Sequence, residues 1–204
     1  MSTLKVNKIE SKGSGDDAQH LELSTNGSTQ MYITSAGALS GTGGSITNFT
    51  GVGKVLQVVS TTDDTNVSSS GTEHATGISA SITPSSTSSK ILVRICASVS
   101  SSNVDSSPGI YIYRTAPSTA DIARADADSN HQRVGTSGHP RDSGLNSLVT
   151  EGLDSPSTTS QCTYELYVTA RSGYTTHVNR THNNADAQYD NTGATTITLM
   201  EISG

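Results

Sequence analysis

Residues 77–95 read GISASITPSSTSSKILVRI. Two alternating stretches flank a run of Pro, Ser and Thr. The first places Ile78, Ala80 and Ile82 on one side of an extended chain. The second places Ile91, Val93 and Ile95 on one side, with Leu92 and Arg94 on the other. Period-two alternation over short runs, bounded by turn-forming residues, marks half-buried strands. The stretch predicts two strands and a turn.

The pattern continues in both directions. Residues 54–60, KVLQVVS, set Val55 and Val59 against Leu56 and Val58, and residues 108–115, PGIYIYRT, set Ile110 and Ile112 against Tyr111 and Tyr113. LNSLVTEGL at 145–153 is a weaker candidate. QCTYELYVTA at 161–170 aligns Cys162, Tyr164, Leu166, Val168 and Ala170 on one face. A short strand is expected at 174–180. TTITLMEI at 195–202 opposes Ile197 and Leu199 to Met200 and Ile202. Helical periodicity is missing except at 119–128, TADIARADAD, where a turn or two of helix is expected. About eight short strands with polar turns predict an all-β fold, an antiparallel β-sandwich of jelly-roll-like type, over residues 54–204.

Residues 1–53 are built differently. Leu4, Val6 and Ile9 give one short alternating strand. Leu21 and Leu23 precede the turn dipeptide Asn26-Gly27, and Met31 and Ile33 follow it, so two short strands are expected there. A glycine-rich stretch leads on to residue 53. So few apolar side chains build no core of their own, and the segment reads as a stem or attachment arm that leans on copies of itself or on another body.

Composition narrows the function. Only 31% of the 204 residues are hydrophobic, there is no Trp, and Phe49 is the only Phe. Such a chain has little to bury alone, which favours an oligomer in which subunits pool apolar surface. The charged fraction of 15% is too low for a typical disordered chain. A net charge of −6 with no basic run argues against nucleic acid and against an anionic membrane surface. The N-terminus shows no apolar signal region, and no apolar run is long enough to span a bilayer. Cys96 and Cys162, the two cysteines, both fall in expected strands and read as small buried hydrophobes in a reducing compartment; a disulfide between them is left open.

Several segments carry a resemblance. GKVLQVVSTT, GISASITPSSTSSKILVRI, LDSPSTTSQCTYELYV, VNR at 178–180 and TTITLMEI resemble the C-terminal knob of tail-fibre-like virion proteins of marine and cyanobacterial tailed phages. MSTLKVNKIE and NGSTQMYITSAGAL resemble the elements ahead of that knob. The resemblance covers most of the chain and is weakest over 100–150. It implies a homotrimer, a β-sandwich knob on a short stem, residues 77–95 as a central hairpin of the knob, and a place on the virion surface after synthesis in the bacterial cytoplasm. The family often carries Arg-Gly near Thr192-Gly193; the equivalent in this chain is Asn191-Thr192, so a contact made by that Arg is not expected here.

Motifs for chemistry are few. Asp126, Asp128 and Asn130 occupy the first three ligand positions of an EF-hand-style loop, but His131 replaces the needed Gly and Ser137 the final Glu. His131, His139, His177 and His182 have no compact metal-ligand spacing. Asp121, Glu151, Asp154, Glu165 and Asp186 offer acids without marking a glycosidase pair. No nucleophile elbow or P-loop is present. The expectation is a non-enzyme with no cofactor and no metal. Its partners are other copies of itself, other tail or capsid proteins, and host cell-surface glycan. The polar–aromatic segment 174–191 supplies the candidate glycan or interface contacts Tyr174, Asn183, Asn184, Asp186, Gln188, Tyr189 and Asp190. Two uses stand side by side, a fibre tip that binds host glycan and a capsid decoration protein held by its N-terminal arm; polysaccharide hydrolysis is a remote third.

Overall fold

The computed structural model describes residues 21–25, 28–33, 39–40, 53–138, 144–188 and 190–204. The chain forms two compact units, Met1–Val52 and Gly53–Gly204. The described residues contain no helix, and so none long and apolar enough to cross a membrane.

In the first unit, β1 (Leu21–Thr25), β2 (Ser28–Ile33) and β3 (Leu39–Ser40) form an antiparallel sheet in that order. Leu21 lies opposite Ile33 and Leu23 opposite Met31, so the two strands expected around Asn26-Gly27 pair with each other. Leu4, Val6 and Ile9 lie outside the described residues.

The second unit holds β4 (Val55–Asp63), β5 (Val67–Ser69), β6 (His74–Ile82), β7 (Lys90–Ser101), β8 (Gly109–Ala116), β9 (Ala120–Ile122) and β10 (Thr136–Ser137). After these come β11 (Asn146–Asp154), β12 (Cys162–Thr169), β13 (Thr176–Val178) and β14 (Thr195–Ile202). They make two antiparallel sheets. In sheet 1, β11 and β14 flank β7, β13 continues the β14 side, and β4 and β5 lie outside β14 and β13. In sheet 2, β8 and β12 are central, β6 closes one edge, and β9 and β10 share the other. One apolar core draws from both sheets, the arrangement of a β-sandwich.

The opening stretch explains why. Ile78, Ala80 and Ile82 are buried, and so are Ile91, Val93 and Ile95. However, β6 and β7 do not pair. They belong to different sheets, so residues 77–95 form an arch rather than a hairpin. Two half-greasy strands satisfy more apolar surface by facing each other across the core than by lying side by side, and each fully buried Ile or Val contributes roughly 1.5–3 kcal/mol. The polar crossing is held from beneath. Glu201 of β14 is buried, and its carboxylate accepts Ser85 N–H at 2.7 Å, Ser85 Oγ–H at 2.6 Å and Gln57 Nε2–H at 2.7 Å. Burial alone would raise its pKa, but these donors outweigh it and hold the group at about 2.

The expected one or two helical turns at 119–128 do not form. Instead β9 pairs with β8, Ile122 opposite Ile112, and Ile122 joins the core. Burying that side chain on an open strand edge wins over a short helix that has no stable nucleus of its own. Ala123, with φ of 51°, ends the strand. Of the two cysteines, only Cys96 differs from expectation. Cys162 is buried in the core, whereas Cys96 is half-buried on the outer face of sheet 1 with Sγ 3.5 Å from Ser147 Oγ; both thiols are free. Burial pushes the Cys162 thiol pKa up.

Asn179, in the VNR segment, is fully buried and left-handed at φ 62°. Its Nδ2 donates to Asp63 O and Thr65 O at 3.0 Å each, and its Oδ1 accepts Thr195 Oγ1–H at 2.9 Å. It clamps the point where β14 gives way to β13 beside β7. A buried charge cluster joins the sheets elsewhere: Arg114 NH1 donates to Asp154 Oδ2 at 2.5 Å, and Tyr164 OH donates to the same oxygen at 2.7 Å.

Candidate functional site

The solvent-facing surface of sheet 2 carries an aromatic platform. Pairing of β8 with β12 sets Tyr111 opposite Tyr167, and the next outward row runs Asp121, Tyr113, Glu165, Ser79 across four strands. The Tyr167 ring lies 5.3 Å from Tyr111 and 4.8 Å from Tyr113, tilted by 46° in each case. Tyr111 is buried because the Arg124 guanidinium covers it, 4.0 Å from the ring centre. Tyr113 and Tyr167 stay half-exposed. Burial raises the pKa of Tyr111 and of Tyr167, so both phenols are neutral donors.

The polar groups around the rings are fixed. Arg124 NH2 pairs with Glu73, its NH1 donates to Asp121 Oδ1 at 3.1 Å, and its Nε donates to Arg133 O at 3.0 Å. Burial would lower the Arg124 pKa; the hydrogen bonds with Glu73 and Asp121 reverse that and raise it. Glu165 Oε1 accepts Gly77 N–H at 2.7 Å. Gly77 sits at φ 79° with open space where a Cβ would stand. Half-exposed rings on a sheet can stack on the C–H face of a sugar, while carboxylates already oriented beside them accept its hydroxyls.

A cleft of about 540 Å³ lies at the neighbouring loops. Thr72, Asp105, Asn130, His131, Gln132 and Arg171 line it. Arg171 NH1 donates to Asp105 O at 3.2 Å and its guanidinium lies 5.4 Å from the Tyr174 ring. The cleft adjoins the platform through the chain step from Thr72 to Glu73.

The sequence-derived contact residues divide. Tyr174 is half-buried beside Arg171, and Asn183, Asn184, Asp186 and Gln188 are exposed. Asp190 braces the loop, accepting Thr181 Oγ1–H at 2.9 Å and Ala185 N–H at 2.5 Å. Tyr189 lies outside the described residues. Among the described residues, the paired tyrosine rings stand on strands rather than on segment 174–191. Alternation set Tyr111 and Tyr113 on the face opposite Ile110 and Ile112. The same alternation in YELYV places Tyr167 opposite in phase to Tyr164, but only the β8–β12 pairing brings it to Tyr111 and Tyr113.

The remaining chemical candidates resolve as follows. Asp126, Asp128 and Asn130 are exposed, and Asp128 Oδ2 is 3.2 Å from His131 Nδ1. Among the described residues no three His, Cys, Asp or Glu side chains gather at metal-binding distance. His139 lies outside the described residues. His177 and His182 do meet, Nε2 to Nδ1 at 3.1 Å, with Ser68 Oγ and Arg180 NH2 each 2.9 Å from His177 Nδ1. A guanidinium that donates to Nδ1 occupies the lone pair a serine base would need. Burial, then Arg180 and His182, hold the His177 pKa down at about 4, too low for a base at neutral pH. Of the acids, Asp154 is spent on Arg114 and Tyr164, while Glu151 faces out from sheet 1.

The fold and this surface define a β-sandwich with an aromatic, carboxylate-flanked outer face. Compared with family models and with curated proteins, the chain matches none.

Proposed function

We propose that the chain is a non-enzymatic structural protein on the surface of a tailed-phage virion. It is a homotrimeric, jelly-roll-like knob over residues 54–204, on a stem or arm formed by residues 1–53. Its role is host attachment through cell-surface glycan, made at the outer face of sheet 2. The half-exposed Tyr113–Tyr167 pair, with Asp121 and Glu165 on either side of Tyr113, carries this reading. The resemblance of the knob segments to tail-fibre-like proteins supports the setting, and the cleft beside Arg171 offers room for a second sugar unit.

The test is binding of the purified full chain to host cells and to isolated surface polysaccharide. Tyr113→Ala and Tyr167→Ala should each weaken binding about tenfold, the loss of one stacked ring. Binding equal to wild type in both variants overturns the site. Capsid decoration, with the N-terminal arm of residues 1–53 holding the outer shell, is the second reading. Copy number separates the two: a decoration protein occurs on the scale of the shell's own subunits, a fibre tip far below it.

A further inference from the structure

We propose that His177 and His182 form an acid-sensitive latch that holds the turn between Arg180 and Thr192 against β13. His177 lies on β13, in register with Ser68 of β5 on one side and Ser100 of β7 on the other, and is only 5% exposed. The chain leaves β13 through the buried Asn179 and comes back where Arg180 bridges Thr192. Within the turn, Thr181 Oγ1–H and Ala185 N–H both donate to Asp190, so the turn is braced on itself. Arg180 and His182 tie it to His177.

The proton positions in this contact follow from chemistry. Arg180 NH2 is 2.9 Å from His177 Nδ1, and a guanidinium only donates, so Nδ1 accepts. In the neutral ring the proton then sits on Nε2, which lies 3.1 Å from His182 Nδ1 and donates to it. The two rings are 5.3 Å apart and tilted by 31°. Ser68 Oγ, 2.9 Å from both Arg180 NH2 and His177 Nδ1, completes the set. With both imidazoles neutral, every nitrogen at the contact is committed. An added proton breaks it at either place it can go. On His177 Nδ1 it meets the guanidinium; on His182 Nδ1 it meets the Nε2–H of His177. The groups facing His177 are Ser68 from β5, Ser100 from β7, and Arg180 and His182 from the turn; among the described residues no carboxylate joins them to balance a second charge. The proton is accommodated when the turn lifts and water reaches the ring. Burial, then Arg180 and His182, keep the closed His177 at about 4 against 6.5 in the open state. A depressed histidine binds its proton more tightly once released, so opening is favoured as pH falls from 6.5 toward 4. Between pH 7.5 and pH 5 the opening constant should rise about 30-fold. Asn183, Asn184, Asp186 and Gln188, all exposed on this turn, are the groups whose presentation changes with it.

The test is amide hydrogen exchange of the full chain, followed by NMR at pH 7.5, 6.5 and 5 and corrected for the intrinsic exchange rate. The Thr181 N–H, bonded to Asn191 O, and the Ala185 N–H report the turn, and the amides of Val93 and Ile95 report the centre of sheet 1. The turn amides should be less protected than the sheet at each pH, insensitive to low urea, and should lose protection about 30-fold from pH 7.5 to pH 5. His177→Asn keeps an acceptor for Arg180, His177→Gln keeps a donor for His182, and neither titrates, so each should abolish the drop; should one fail to fold, the other reads the same loss. Turn protection that does not change with pH in the wild type overturns the latch. So does a drop that persists in a folded His177 variant, or one seen only together with the sheet and steepened by urea, which is unfolding of the whole sandwich.

Discussion

Glu201 gives the sharpest prediction about how the sandwich is held. Its carboxylate is buried beneath the 83–89 crossing and is satisfied by Ser85 and Gln57, with no cation in the set. Its folded pKa of about 2 lies below the ordinary 4.5. A depressed acid contributes stability above its unfolded pKa and loses it as pH falls through the folded value. At 1.36 kcal/mol per pKa unit the contribution is roughly 3 kcal/mol at neutral pH, lost between about pH 4.5 and pH 2. The perturbation is Glu201→Gln, which keeps the shape but removes the charge. Urea unfolding of wild type and variant should be followed at pH 7, 5, 3 and 2. The stability gap should be widest at pH 7 and 5 and close by roughly 3 kcal/mol toward pH 2. A gap that stays constant across this range would refute the reasoning, because the ionised carboxylate would then not be what the crossing depends on.

Other outcomes follow from the same interior. His177, neutral and buried with a folded pKa near 4 against 6.5, favours the fold above pH 6.5; roughly 3 kcal/mol should be lost as pH falls from 6.5 to 4, and His177→Gln should flatten that window in the same urea series. Asn179→Ala should cost about 3 kcal/mol by chemical unfolding, since it leaves Asp63 O, Thr65 O and Thr195 Oγ1 without partners; Asn179→Gly, free of backbone strain, should recover only about 1 kcal/mol of this. Asp154→Ala should cost about 3–5 kcal/mol by leaving the Arg114 guanidinium buried and unpaired, while the double change Arg114→Met with Asp154→Leu should recover most of it; a double variant as unstable as the single would contradict the pairing.

Much of this was legible because strands write themselves as alternation. QCTYELYVTA put Cys162, Tyr164, Leu166, Val168 and Ala170 on one face, and all five are buried. Even the weak segment at 145–153 is a nine-residue strand. What alternation carries is a side for each residue, not a neighbour for each strand. It therefore gave the right faces to residues 77–95 yet suggested a hairpin where the chain makes an arch. It set Tyr111 and Tyr113 opposite Ile110 and Ile112 without showing that Tyr167 stands beside them, or that Asp121 and Glu165 bracket Tyr113.

The chain's own residues settled the all-β class, the inward and outward phase of the major strands, and the shortage of apolar mass. Tertiary structure alone decided which strands share a sheet, and with that the platform and the buried clamps at Glu201, Asn179 and Arg114–Asp154. The reason is physical. A side chain's phase follows from the two-residue repeat of its own strand, whereas strand pairing depends on contacts between segments far apart in sequence, chosen by how well two whole faces close over one core.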